Sequence, residues 1–77
     1  MDRVAEVFAS TLKIGKDLIS DETAPDNTPQ WDSLAAMDLA MAIQDEFGVK
    51  LTTRDIMAMR SVGLVRKVLR AKGIADV

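Results

Sequence analysis

Two side-chain types that most often do chemistry are absent from this 77-residue chain, which has neither Cys nor His. Thiolate nucleophiles, imidazole bases and the commonest metal ligands are therefore excluded, and no catalytic or metal site is expected. What remains is hydroxyl and carboxylate chemistry, most pointedly at Asp32-Ser33-Leu34, which opens a long helix-forming run. A Ser at such a point is ordinarily a helix cap, and here Asp32 or Ser33 can fill that role. A core of this size leaves only roughly 3–5 kcal/mol of net stability, too little to favour a deep, rigid active site. Binding or carrying is the expected work, not catalysis.

From Ser33 to Phe47 there is no Gly or Pro, and the fill of Ala, Leu, Met, Gln and Glu is strongly helix-forming. At about 100° per residue this helix presents two apolar sectors. Ala36, Leu39, Ala40, Ile43 and Phe47 share a core-type stripe. Leu34, Met37 and Met41 fall elsewhere, interleaved with Asp38, Gln44 and Asp45. Unpaired carboxylates are not buried, so this second side reads as a docking face, and methionine suits it because it re-packs against differently shaped partners. The alternative, equally open on the wheel, is that Met37 and Met41 pack beneath the preceding loop.

Apolar residues make up 48% of the chain and charged ones 29%, the balance of a compact soluble fold, and the length allows one domain, 1–77. No apolar stretch approaches the ~20 residues of a membrane span, and Met1-Asp2-Arg3 opens no signal-peptide pattern. A cytoplasmic location without membrane insertion is expected. The net charge of -2 conceals a polarity: residues 1–32 carry -4, residues 33–49 carry -3 and residues 50–77 carry +5. Between Asp17 and Val49 stand eight acids and not one Lys or Arg. That field repels nucleic acid and attracts basic protein surfaces.

The positioning elements follow from periodicity and stop signals. Val4, Val7, Phe8, Thr11 and Leu12 recur at helical spacing and predict a first helix over 3–14, with Ile14-Gly15 as its stop. Gly15 to Asp32, with Pro25, Asn27 and Pro29, reads as a long ordered loop anchored by Leu18, Ile19 and Trp31. Gly48 ends the middle helix, and Thr52-Thr53-Arg54-Asp55 is a capping box for a short helix over 53–58. Ser61 caps a last helix in which Val62, Val65, Val68 and Leu69 share a face, closed by Lys72-Gly73. The expected fold class is all-α: a small four-helix bundle of three longer helices and one short third helix, with a long loop between helices 1 and 2.

Asp32-Ser33-Leu34, followed by Asp38, Leu39, Met41 and Asp45-Glu46-Phe47-Gly48, resembles the acyl carrier proteins, and the likeness extends along the whole chain. The triplet alone is common by chance; with the downstream Phe-Gly and the chain length it becomes fairly specific. The resemblance implies that Ser33 accepts 4'-phosphopantetheine from coenzyme A through a phosphodiester. A helix N-terminus suits that attachment, because free N–H groups and the dipole stabilise a phosphate. The resemblance also implies a discrete, monomeric phosphoprotein that carries an acyl group, fatty or polyketide-type, as a thioester in lipid metabolism such as fatty acid biosynthesis. Its implied partners are a phosphopantetheinyl transferase (holo-carrier synthase), an acyl-loading ligase or transferase, and synthases. Asp32 then has a second possible role, recognition by the transferase, while Leu34, Met37, Asp38, Met41 and Asp45 form the docking set.

Departures are visible too. Relatives in fatty acid synthesis carry further acids around the short third helix, where this chain has Arg54, Met57 and Arg60, and Gln44 stands where another acid is expected. An aminoacyl or peptidyl carrier with the same arm therefore remains an alternative, as does an unmodified helical interaction module. Small residues Ala36 and Ala40, expected opposite Ile56, Met59, Val62 and Leu69, leave open whether the core admits an acyl chain or is tightly closed.

Overall fold

The computed structural model describes residues 2–77, and among them every regular element is helical. α1 spans Arg3–Leu12, α2 Ser33–Phe47, α3 Thr53–Ala58 and α4 Val62–Ala71, with a single 3-10 turn at Lys16–Leu18. The expected bundle of three longer helices and one short one is thus what forms, and none of the described helices is long and apolar enough to cross a membrane. Each α-helix begins on a polar cap: Asp2 accepts from the Ala5 N–H, Asp32 from Ala35, Thr52 from Asp55 and Ser61 from Leu64. At α3 the box is reciprocal, since Asp55 also accepts from the Thr52 N–H at 3.0 Å.

The end of α1 and the anchoring of the loop differ from expectation. α1 ends at Leu12, not at Ile14, with Lys13 in the left-handed region at φ 59°. The reversal turns Ile14 toward the core, which it partly enters, and both the Lys13 and Ile14 N–H groups close on the Ala9 carbonyl. Burial of Ile14 therefore decides the stop, and Gly15 keeps an ordinary φ of -63°. A Lys in this conformation is strained, so Lys13→Gly is expected to stabilise the protein by about 0.5–1 kcal/mol in a urea titration. In the loop, Leu18 is 68% exposed and anchors nothing. Ile19 packs partly on the core, while Thr23, Thr28 and Trp31 are buried.

The core is built from Val4, Phe8 and Leu12 of α1, Leu39, Ala40, Ile43 and Phe47 of α2, and Val62, Val65 and Leu69 of α4. Trp31 stands edge-on to Phe8, ring centroids 5.0 Å apart. Ala36 is only partly buried, and Ile56, expected to face it, is exposed. The loop is tied to the far helix by backbone: the Val62 N–H donates to the Thr23 carbonyl at 2.9 Å and the Gly63 N–H to Asp21 at 3.0 Å. These bonds satisfy orphan donors of the α4 N-terminus. A Cβ at Gly63 would lie 3.2 Å from the Asp21 oxygen, so only glycine allows this approach without a shift.

Ion pairs fasten the ends. Arg66 of α4 bridges Asp2 at 2.7 Å and Asp21 at 2.8 Å, and Lys72 meets Asp55 at 2.8 Å. The Arg66 hydrogen bond holds the Asp2 carboxyl below its usual range, and Lys72, followed by the Thr52 N–H, brings Asp55 down to about 2. Both shifts are downward, so their stabilisation is complete above the unfolded carboxylate pKa of about 3.9 and is lost as pH falls through the folded values. Melting temperature should therefore drop between about pH 4 and pH 2, and Lys72→Met should shrink that drop. Acid melts that coincide for the two proteins would contradict the assignment.

Candidate functional site

Ser33 is the first residue of α2, directly after the Asp32 cap, and its side chain is exposed. The division of labour left open between Asp32 and Ser33 is resolved by hydrogen bonding: Asp32 Oδ1 accepts from the Ala35 N–H at 2.9 Å, and the Asp32 carbonyl accepts from Ala36 at 2.9 Å. The Ser33 hydroxyl is not needed as a cap and makes no hydrogen bond among the described residues. The Ser33 and Leu34 N–H groups precede the first intrahelical bond and point out of the helix end. A hydroxyl oxygen, two free donors and the positive end of a 15-residue helix dipole thus coincide. This donor set fits a phosphodiester.

The segment before Ser33 is held so that this tip stays in place. The Asn27 side chain accepts from the Ala24 N–H at 3.0 Å and donates to the Glu22 carbonyl at 2.8 Å, and the Trp31 N–H donates to the Thr28 carbonyl at 2.9 Å. Thr23 Oγ1 accepts from the Ser20 N–H at 2.9 Å. With the Trp31 ring wedged on Phe8, the chain enters α2 from a fixed point. Trp31 is thus the anchor its position suggested, whereas the roles of Thr23 and Asn27 escaped sequence reading. Asn27-Thr28 beside Pro25 and Pro29 carried a turn signal, but nothing local indicated which carbonyls would meet α4.

Downstream of Ser33 the second apolar side of α2 faces solvent. Leu34, Met37 and Met41 are 70%, 67% and 64% exposed. They recur at i, i+3 and i+7, with Asp38 exposed one turn after Leu34 and Asp45 one turn after Met41. The alternative of Met37 and Met41 packing under the loop is overturned, since the loop lies toward α4 and α1. Asp45 also lines a groove of about 630 Å³ along the α1–α2 seam, with Arg3, Glu6 and Glu46. Gln44, where an acid was expected, is instead structural: its Oε1 accepts from the Leu51 N–H at 2.9 Å and pins the turn into α3.

An exposed, unbonded hydroxyl thus stands at the start of α2 beside an apolar and acidic stripe. A comparison with known families agrees: residues 2–69 match the family described as the phosphopantetheine attachment site. Domains of this family are non-catalytic carriers with covalently attached 4'-phosphopantetheine, and they meet phosphopantetheinyl transferases and acyl-transfer enzymes. This chain belongs to that family and is a phosphopantetheine carrier.

Proposed function

We propose that Ser33 Oγ holds the arm and that the carrier is of the acyl type, delivering a fatty or polyketide-type unit among biosynthetic enzymes in the cytoplasm as a monomer. The observation that carries this reading is the placement of an exposed hydroxyl, free of capping duty, on the first residue of α2. When bound, the arm supplies the thiol that this Cys-free chain lacks, and the acyl group rides on it as a thioester. Ser33 contributes the ester oxygen, the Ser33 and Leu34 N–H groups offset the phosphodiester charge, and Asp32 keeps α2 capped so that the tip does not fray. Asp32, being exposed beside Ser33, is also open to the transferase.

Docking follows from the neighbouring stripe. Asp38 and Asp45 favour approach of a basic enzyme surface, and exposed ion pairs of this kind are weak enough for quick release. Leu34, Met37 and Met41 add apolar contact beside the attachment point. Met41→Glu is expected to slow acyl transfer by a partner enzyme several-fold while the melting temperature stays unchanged, because the side chain is exposed. Unaltered transfer kinetics would remove Met41 from the interface.

The direct test is intact mass after incubation with coenzyme A and a phosphopantetheinyl transferase. One adduct, located by fragmentation on the peptide containing Ser33, is expected; an unlabelled chain, or an adduct on another residue, refutes the assignment. The group released from Ser33 by thioester cleavage of material isolated from cells then separates acyl from aminoacyl cargo. The aminoacyl reading has one observation in its favour, the exposed, cationic Arg54 and Arg60 around α3.

A further inference from the structure

A second exposed apolar patch lies on α3 and α4, in surroundings of the opposite charge. Leu64, Lys67, Val68 and Ala71 share one face of α4 at i, i+3, i+4 and i+7 spacing. With Ala58 of α3 they line an almost wholly apolar groove of about 210 Å³. The fully buried residues of α4 are Val62, Val65 and Leu69, so folding leaves Leu64 40% exposed, and Met57 on α3 is 71% exposed. Of the seven cations between Lys50 and Val77, Arg70 donates to the Val77 oxygen. Arg66 and Lys72 are held by acids, whereas Lys50, Arg54, Arg60 and Lys67 have no acidic partner among the described residues. Lys67 forms part of the groove wall, and Arg60 lies two residues beyond Ala58.

We propose that this groove is a second docking site, separate from the Ser33 helix, and that its occupant is an acidic amphipathic helix of a partner protein. Its apolar stripe would enter between Ala58 and α4, with carboxylates toward Lys67, Arg60 and Arg54. A groove of this volume accepts a few aliphatic side chains. The acidic stretch from Asp17 to Glu46 further opposes extended polyanions, which must approach the whole molecule, but not a compact helix seated on the basic end. The carrier could then be retained by an acidic partner through α4 while α2 engages a basic enzyme. This inference does not depend on Ser33 bearing the arm.

The experiment is an NMR titration of the isotopically labelled protein with three probes: a helical peptide with a leucine stripe and a glutamate face, its lysine-faced counterpart, and phosphatidylglycerol vesicles. The glutamate-faced peptide is expected to shift the amide signals of Ala58, Leu64, Lys67, Val68 and Ala71 and to leave Met37 and Met41 unmoved. Arg60→Glu combined with Lys67→Glu should weaken that binding roughly fivefold or more. Leu64→Glu should do so too, with melting curves confirming that both variants remain folded. No shift at these residues, an equal response to the lysine-faced peptide, or a response to vesicles alone would overturn the proposal. Ser33→Ala protein should titrate identically, so failure of the arm assignment and failure of this one are distinguishable.

Discussion

Replacing Ser33 with Ala is expected to abolish coenzyme A-dependent labelling and to leave stability within about 0.5 kcal/mol of the parent. The first effect is total because the hydroxyl oxygen is itself the bond-forming atom. The second is small because the Ser33 side chain is exposed and unbonded, while the cap is supplied by Asp32. Asp32→Ala should show the converse pattern, costing about 1 kcal/mol of stability in a urea titration while keeping the acceptor oxygen. Ser61 offers an internal comparison: its Oγ accepts from the Leu64 N–H at 3.1 Å, so a Ser at a helix start can be wholly engaged as a cap. Persistent labelling of the Ser33→Ala protein would show that one of the other serines, Ser10, Ser20 or Ser61, is the acceptor.

Phe8→Ala is expected to have the largest effect on folding, about 3–5 kcal/mol. The ring is completely buried, stands edge-on to Trp31 at 5.0 Å and belongs to the central cluster. That loss is comparable to the whole net stability of roughly 3–5 kcal/mol for a core of this size. The variant should therefore be largely unfolded at room temperature by circular dichroism. Labelling by the transferase should fall in parallel, because Trp31, which leads into Asp32 and Ser33, loses the surface on which it packs. A urea midpoint close to that of the parent protein would sink this account of the core.

Legibility in the sequence tracked the range of the interactions involved. The bounds of α2, the Thr52–Asp55 box and the Ser61 cap are encoded within a few residues, by propensity and by side chains bonding their own backbone. Local signals place the end of α1 two residues too late, because Ile14 is drawn toward a core assembled from distant segments despite the cost of left-handed Lys13. The apolar character of Leu18 likewise says nothing about which side of the loop reaches the bundle, and it stays exposed. Gln44 reads locally as a missing acid, whereas its role is set by the Leu51 N–H seven residues on, from which it accepts only once the turn into α3 has formed.

By itself the amino-acid order determined the helical periods, the caps, the acidic middle and basic end, and the lack of any native thiol or imidazole. Only tertiary structure decided that Met37 and Met41 face solvent and that the long loop is clamped by Arg66 and the α4 backbone. The physical reason is that exposure depends on which surfaces meet. Asp2 and Arg66, 64 residues apart, meet only once the chain has closed on itself.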